Sequence, residues 1–547
     1  MIFKFSGTAL LLTASVLAQV SSFPKPAYFR ETFSKPVTKV ELQPPARLAD
    51  FVVGGKLELS LRSYLELVMA NNTEIQIQRL AVETPRNQIL RAQGVFDPVL
   101  TGSFTNERRK TPSNDALAGA DTVVQLSQPA RFGYAQTLST GTQYTASFNA
   151  SKSSSNSGFQ NFNPALTSNL GLSFSQPLLR NRGRFVNRLN IMVAQSRLRK
   201  AEYDTRTQML TLLTDAETAY WNLIQARENL RVRVGGAELA KKALERAQRE
   251  LELGALSPLD IFNPEQQYAT AKIEVSQAEF NLRQSEDALR RQMGADLDPD
   301  ARKLPIVLTE DVMPGVTATI DAEKQVEKAL AIRPDLKSAL QSLDVDELSI
   351  RSATNAMKPE LALTGNYISQ GRGGNFYQRS NIFGENGNST IINMLPGGFG
   401  NALDQMFGFG YPVYSFGLTL RLPIRNRAAS ADYADAVISK RRNALAVRSV
   451  EQQVRLDVLN AVNQVESSKA AVELAVQARE YAQKYLDAEQ KKYELGTSQL
   501  FFVLQAQDRL QQAEAAVVQN SVSYRRNLLN LLRRTGDLLE ERGVAIK

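Results

Sequence analysis

The side chains available for chemistry in this chain are carboxylates, hydroxyls and amines. Its 547 residues contain no cysteine and no histidine, which excludes disulfides, Cys/His metal sites, thiol nucleophiles and histidine general bases. Serine, lysine, tyrosine or carboxylate catalysis stays formally possible, but no recognisable motif groups such residues. We therefore predict a protein that is not an enzyme and has no catalytic, cofactor-binding or metal site. Its function has to be sought in its architecture.

The charge distribution argues against nucleic acid as a partner. The net charge is +9, but lysine and arginine are interspersed with aspartate and glutamate along most of the chain. Such mixing is typical of a solvated helical surface and differs from the clustered basic patch of a nucleic-acid-binding protein.

The N-terminus resembles a cleavable secretion signal. Lys4 precedes an apolar run at residues 9–20 that contains the small-x-small triplet Val16-Leu17-Ala18. The alternative, a buried helix or short anchor, fits less well because the run is shorter than the ~20 residues of a membrane span. No later segment supplies such a run, so any membrane crossing has to be made by strands.

The sequence contains an internal duplication. Glu252-Leu253-Gly254 recurs as Glu494-Leu495-Gly496, and Arg291 with Gly294 recurs as Arg533 with Gly536 at the same spacing. Each half is predicted to run helix, strand, loop, strand, long helix, tight turn and return helix. The predicted segments are a signal peptide at 1–18, an extended Pro-rich arm at 19–56, a first repeat at 57–294, a linker at 295–319, a second repeat at 320–536 and a C-terminal tail at 537–547.

Two helices of roughly 70 residues, or about 105 Å, are predicted at 184–253 and 426–495. Their apolar residues recur at alternating steps of three and four, as in a coiled coil. Arg233 interrupts the first seam, and Gly235-Gly236 is expected to bend or loosen the helix there. The first long helix carries a second apolar stripe beside the first, which suits a helix packed on two sides in a wall or tube. A solid helical bundle is the alternative.

Each long helix needs partners of equal length, and the shorter helices can supply them. Helices predicted at 57–93 and 258–293 would match the first long helix if placed end to end. Helices predicted at 320–357 and 498–535 would match the second in the same way.

Four segments, beginning near Leu100, Leu170, Leu361 and Leu418, alternate strictly between apolar and polar residues. Aromatic residues near their ends favour a membrane barrel over a soluble sandwich. Four strands cannot close a barrel, so several chains must contribute. A further alternating segment at 143–148 either lengthens the first hairpin or forms an extra one outside the membrane. The Gly/Asn-rich stretch 371–410 is interpreted as a long loop between two strands.

This order of parts, with the turn sequence Tyr493-Glu494-Leu495-Gly496-Thr497-Ser498, resembles the TolC-type outer-membrane efflux protein family over nearly all of residues 57–536. The resemblance implies a mainly α fold with membrane β structure: a long antiparallel α-helical barrel and a transmembrane β-barrel assembled from a trimer, with four strands from each chain and twelve in all. It also implies an outer-membrane location with the helices in the periplasm, contact with outer-membrane lipid, and a periplasmic adaptor and an inner-membrane pump as partners.

In that family the helical turns form the periplasmic mouth, where adaptor tips dock. The matching residues are Leu253, Gly254, Ala255, Leu495, Gly496 and Thr497. Each glycine also fits an ordinary left-handed helix cap.

Some family members carry acidic rings six and nine residues after the second glycine, where this sequence has Phe502 and Gln505. The run 501–504 then forms either an apolar constriction or ordinary helix packing. Asp260 matches an acidic position after the first glycine and is expected to cap or tether the return helix. The arginine that could pair with it in relatives is replaced by Ser498.

The predicted function is that of an exit duct of a tripartite efflux pump or a type I secretion system, passing solutes or proteins outward. The alternative is a periplasmic coiled-coil structural or adaptor protein that bridges two membranes.

Overall fold

The computed structural model describes residues 46, 48–113, 120–158, 160–254, 257–296, 299–313, 320–380 and 390–543. The chain divides into two units, 1–46 and 47–547, and all the helices and strands of the described residues belong to the second. The predicted signal peptide and most of the predicted N-terminal arm lie outside the described residues.

Thirteen helices occur in the described residues, apart from short 3-10 turns at Leu48–Phe51 and Gly94–Phe96. They are α1 (Leu61–Asn71), α2 (Thr73–Ala81), α3 (Glu83–Gln93), α4 (Arg184–Asn187), α5 (Leu189–Glu252), α6 (Phe262–Gln292), α7 (Pro299–Lys303), α8 (Ala322–Ile332), α9 (Pro334–Ala356), α10 (Phe399–Phe407), α11 (Arg427–Glu494), α12 (Leu500–Thr535) and α13 (Leu538–Glu541).

Eleven strands occur in the same residues. They are β1 (Val52–Val53), β2 (Lys56–Leu59), β3 (Val99–Phe104), β4 (Glu107–Pro112), β5 (Thr122–Thr137), β6 (Gln143–Ser155), β7 (Phe162–Pro177), β8 (Ile306–Leu308), β9 (Glu360–Arg379), β10 (Ile391–Leu395) and β11 (Tyr411–Arg421).

The two long helices are confirmed, with 64 residues in α5 and 68 in α11. Helix α5 continues through Gly235-Gly236 without a break, and the bend or loosening expected there stays a prediction. A Cβ on Gly236 would lie 2.6 Å from the Gln511 side chain of α12. The missing side chain at Gly236 therefore leaves room for the Gln511 amide between α5 and α12. Arg233, which interrupts the seam, pairs with Glu274 of α6 at 2.8 Å.

The helices predicted at 57–93 and 320–357 are not continuous, because each is divided into shorter helices. The first breaks at Asn72, whose side-chain oxygen accepts hydrogen bonds from the backbone N–H groups of Glu74 and Ile75 and so starts α2 afresh. The second breaks before Pro334, which has no backbone N–H and begins α9 at its first turn.

The end-to-end stacking of short helices is confirmed in both halves. At the first junction the Asn72 side chain donates to the Gln292 carbonyl at 3.0 Å, which joins α2 to the end of α6. At the second junction Arg333 donates to the Arg534 carbonyl at 3.4 Å, which joins α9 to the end of α12. Each long helix thus packs against shorter helices along both its first half and its second half.

Helices α9 and α12 both lie between α5 and α11. Lys200 of α5 donates to Ser338 of α9 at 3.0 Å, and Asn443 of α11 donates to Asp346 of α9 at 2.7 Å. Further along, Arg526 of α12 donates to Gln225 of α5 at 2.8 Å. With α1–α3 and α6 along the other side of α5, the helices form a wall four columns wide.

The apolar stripes are buried in this wall. Residues of both predicted stripes of α5 and of the α11 seam belong to the core, although about half of the first α5 stripe is only partly buried. Fully buried members include Met209, Leu213, Tyr220, Ile224, Val454, Val458, Ala461 and Val465.

The predicted linker takes part in a small sheet of order β1-β2-β8. Strand β8 pairs in parallel with β2, so the linker and the end of the N-terminal arm form structure that the sequence reading did not predict.

The larger sheet contains more strands than the four alternating segments identified in the sequence. It has eight strands, in the order β10-β9-β7-β6-β5-β3, with β11 also on β9 and β4 also on β5. Because β4 continues the line of β3 along β5, and β10 and β11 pair with different parts of β9, the strands occupy six side-by-side positions. The segment 143–148 begins β6 and belongs to an extra hairpin, β5–β6, between β3 and β7.

The stretch 371–410, predicted as a loop, is largely structured. Strand β9 extends to Arg379, and β10 and α10 follow in the described part. Helix α10 packs on β9 through glycine: a Cβ on Gly371 would lie 1.8 Å from the Ala402 carbonyl oxygen. The glycines that suggested a loop instead permit close contact between helix and sheet.

Candidate functional site

The two predicted turns end the long helices α5 and α11. Gly254 and Gly496 have φ angles of +69° and +72°, the left-handed conformation that glycine adopts without strain. Leu253 and Leu495 beside them are 83% and 79% exposed. Thr497 donates from its hydroxyl to the Lys492 carbonyl at 3.0 Å, and so caps the end of α11. Ala255 lies outside the described residues.

The two turns lie at the same end of the helical wall, because a cluster of three side chains joins the last turns of α5 and α11. The Tyr493 hydroxyl of α11 donates to Glu250 Oε2 of α5. Arg246 donates to the other oxygen of Glu250 at 3.0 Å, and its guanidinium lies 4.6 Å from the centre of the Tyr493 ring. We call Arg246, Glu250 and Tyr493 the turn clamp.

The turn clamp keeps its tyrosine protonated. Burial, the hydrogen bond to Glu250 and the negative charge of Glu250 raise the pKa of Tyr493 to about 12. Tyr493 therefore remains a hydrogen-bond donor across the physiological pH range.

Sequence reasoning missed the turn clamp. Tyr493 stands in the turn motif itself, and Glu250 precedes Gly254 by one helical turn. Their positions near corresponding glycines were the available signal, but nothing in the sequence pairs residues from different halves.

Ser498 and Asp260 are not brought together in the described structure. The Ser498 hydroxyl donates to Glu489 Oε2 at 2.9 Å, and Lys492 donates to Glu489 Oε1 at 2.7 Å. Bonds from Lys492 and Ser498 lower the pKa of Glu489. Asp260 is exposed in the turn before α6, and its backbone N–H donates to Ser257. Its role as a tether stays a prediction.

The apolar run at the start of α12 divides into two parts. Phe501 and Phe502 are 52% and 43% exposed, with ring centres 5.6 Å apart. Val503 and Leu504 are buried, and Gln505 is partly buried. Ordinary packing therefore accounts for the second pair, whereas the two phenylalanines have no such role within one chain.

Neither a metal-binding cluster nor a membrane-spanning helix is found in the described residues. No group of three or more His, Cys, Asp or Glu side chains among them is arranged to hold a metal ion. None of their helices is both long enough and apolar enough to cross a membrane.

Comparisons with known proteins give consistent results. A sequence model of the family described as "Outer membrane efflux protein" matches residues 142–295 and 326–537. The outer membrane protein TolC of Vibrio cholerae is 25% identical over 378 residues, which cover 68% of this chain and 77% of that protein. The probable efflux pump outer membrane protein TtgC of Pseudomonas putida is 20% identical over 484 residues, covering 87% and 83%.

Among solved structures, the CmeC outer membrane channel of Campylobacter jejuni matches with a TM-score of 0.59 and 17% identity. The match covers 92% of this chain and 91% of that one. This likeness confirms the predicted fold class of long helices with an attached sheet. Because the family model matches more than half of the chain, this outer-membrane protein belongs to the outer membrane efflux protein family.

Proposed function

We propose that the protein is the exit duct of a tripartite efflux pump or a type I secretion system. Three copies would enclose one lumen, through which solutes or proteins pass from the periplasmic side to the outside. The observation that carries this proposal is a two-faced sheet with unpaired edges joined to a wall of long helices. The Pseudomonas putida relative, described as a probable efflux pump protein, supports the same function.

The proposed trimer would complete both layers. Among the described residues, β3 pairs only with β5, and β11 pairs only with β9, so both outer edges carry unpaired backbone groups. Unpaired edges cannot persist in a membrane and are satisfied by closure. The flanking helical columns also expose large apolar side chains that neighbouring copies would cover. These side chains are Ile273 and Phe280 of α6, and Leu445, Leu456 and Leu474 of α11.

We place the periplasmic mouth at the two turns. Exposed Leu253 and Leu495 would form the docking surface for a periplasmic adaptor, with Gly254, Ala255, Gly496 and Thr497 shaping it. The turn clamp would hold the mouth narrow, and Phe502 would form an apolar constriction that excludes water. Gln505 and Asp260 are the other residues that we assign to the constriction.

Opening would require partner proteins. An inner-membrane pump and its adaptor would splay the helical columns and supply the energy, because the sequence contains no nucleotide-binding loop. The protein itself would provide passage without chemistry.

The closed mouth is tested by electrical recording from purified protein in planar bilayers. Phe502→Ala should increase the leak conductance, and Phe502→Asp should increase it further by admitting water. Phe185→Ala is the matched control, since Phe185 is an exposed phenylalanine of α4, which precedes α5, whereas the turn follows the opposite end of α5. An unchanged closed-state conductance in both Phe502 variants would remove this residue from the gate.

The duct as a whole is tested by membrane fractionation and by particle imaging. We expect a membrane-bound, threefold particle with a lumen. Release by carbonate together with a monomeric state in mild detergent would contradict the duct and favour a periplasmic structural protein.

A further inference from the structure

We propose that the β5–β6 hairpin is part of the membrane-crossing wall, so that each chain contributes six strands to the barrel. The inference rests on the proposed trimeric duct. With six strand positions in each of three copies, the barrel would have eighteen strands where the family resemblance implies twelve.

The first argument is position within the sheet. Strand β5 pairs with β6 over thirteen consecutive residues, and β6 pairs with β7 over eleven. In the described structure β3 reaches the other strands only through this hairpin, because it pairs with β5 and not with β7. If the hairpin lay outside the membrane, β3 would lose its partner inside it.

The second argument is the apolar face, which continues without a break across the hairpin. Cross-strand partners point to the same face of a sheet. Starting at β3, one such row consists of Leu100, Tyr134, Ala146, Leu172, Tyr367 and Tyr414. The next row contains Phe132, Phe148 and Leu170. Exposed side chains in these rows include Leu100 at 79%, Phe132 at 55% and Tyr414 at 71%.

The third argument is the opposite face, on which the hairpin and β7 carry mainly polar or small side chains. The row through the hairpin on this side contains Ser103, Arg131, Asn149, Asn169 and Gln370. A charged residue and amides on one face, with aromatic residues on the other, are typical of a barrel strand between water and lipid. Within the hairpin, Arg131 and Asn149 thus lie on the face opposite Phe132 and Phe148.

The fourth argument is depth. The turn of the hairpin lies where the sheet meets the helices, since the Gly183 N–H donates to the Thr140 carbonyl at 3.1 Å and Gln136 donates to the Phe96 carbonyl at 3.0 Å. At the other limit, α10 covers the apolar face, where Ser168 and Ser369 donate to its carbonyls at 2.7 and 2.5 Å.

From the row of Ser168 to the turn, β5 and β6 have eight residues each, 130–137 and 143–150. The Leu138 N–H, which donates to the Thr142 carbonyl at 2.7 Å, extends the pairing by one residue to about nine. A membrane strand needs about 9–11 residues. Outer-membrane hydrocarbon is therefore the occupant that the length and chemistry of this face fit.

A larger strand number means a wider barrel. With strands about 4.8 Å apart and tilted by about 40°, twelve strands give a diameter of about 24 Å and eighteen give about 36 Å. The mouth at the helical turns, not the barrel, would then be the narrow point of the duct.

Single cysteines test the hairpin directly, because the chain has no native cysteine. We would place trimers in nanodiscs and measure labelling by a charged maleimide at Phe132→Cys, Phe148→Cys, Arg131→Cys and Asn149→Cys. The controls are Leu172→Cys on the apolar face of β7 and Asn366→Cys on the polar face of β9.

Cysteines at the two phenylalanine sites should label on the order of tenfold more slowly than cysteines at the two polar sites, because hydrocarbon excludes the charged reagent. The controls should differ in the same direction, with Leu172→Cys labelled more slowly than Asn366→Cys. Fast labelling at all four hairpin sites with a protected Leu172→Cys would overturn the six-strand wall alone. Fast labelling at Leu172→Cys as well would overturn the membrane duct and this inference with it.

Imaging of the unmodified protein gives a second test that no substitution can disturb. A cross-section of the barrel should show eighteen strands and a diameter near 36 Å by the same geometric relation. Twelve strands with a diameter near 24 Å would refute the inference.

Discussion

The turn clamp predicts that one hydroxyl group holds the mouth of the duct closed. Tyr493→Phe removes the donor to Glu250 but keeps the ring beside Arg246. A hydrogen bond to a charged acceptor contributes about 1.5–3 kcal/mol. Since Tyr493 and Glu250 are both partly exposed, solvent screening reduces this to about 1 kcal/mol.

Three copies of the clamp acting together would contribute about 3 kcal/mol to the closed state. The substitution should therefore shift the ratio of closed to open channels by roughly two orders of magnitude, at about 1.4 kcal/mol for each factor of ten. We expect spontaneous openings in planar bilayers in the absence of any partner protein.

Tyr485→Phe is the matched control, because it makes the same chemical change on the same helix. The Tyr485 ring lies near Arg509. Equal opening frequencies in Tyr493→Phe and Tyr485→Phe would refute the reasoning. A double-mutant cycle with Glu250→Gln should give a coupling energy near 1 kcal/mol, whereas additive effects would show that the two residues act separately.

The clamp also predicts a response to alkaline pH. The pKa of Tyr493 is raised to about 12, so the stabilisation is complete below the ordinary tyrosine value of about 10 and is lost as pH rises through about 12. Between pH about 10 and about 12, the opening frequency should rise more steeply in the unmodified channel than in Tyr493→Phe. A parallel response in the two proteins would exclude Tyr493 as the titrating group.

Three further predictions concern stability. Arg542→Ala should lower the free energy of unfolding by about 3–5 kcal/mol, because it leaves the Glu217 carboxylate, which is 1% exposed, without its charged partner. The fluorescence of the single tryptophan, whose indole N–H donates to Glu217, should report the change. Adding Glu217→Gln should recover part of the lost stability. Burial alone would raise the pKa of Asp335, but its bonds to Arg333 outweigh this and lower the pKa. The stability that Asp335 contributes to the fold should therefore be present above pH about 4 and lost below it. Asp335→Asn should lower stability at neutral pH and flatten this acid dependence. Gly371→Val should displace α10 from the sheet, because even a Cβ would lie 1.8 Å from a carbonyl oxygen of that helix, and limited proteolysis within 399–407 should then become faster.

Local patterns in the sequence determined much of the architecture. The three-and-four spacing identified α5 and α11 and their buried residues, because the period of an amphipathic helix depends only on neighbours along the chain. Strict alternation identified β3, β7, β9 and β11 for the same reason. The repeated turn sequences led to the family resemblance, which the family model confirms.

The sequence failed where a pattern was weak or where partners were distant. In the β5–β6 hairpin, alanine, glycine and serine occupy many positions on both faces, which blurs the alternation. The breaks in the opening helices depended on a single cap at Asn72 and a single Pro334, which the apolar period does not reveal.

Tertiary structure alone decided the position of the β5–β6 hairpin within the sheet and the contact between Tyr493 and Glu250. The two clamp residues are 243 positions apart, and no local periodicity relates them. Each residue has an ordinary place on its own helix, and the hydrogen bond exists only because α5 and α11 end at the same level. Packing of the shared helices α9 and α12 sets that level, and so brings the two side chains together.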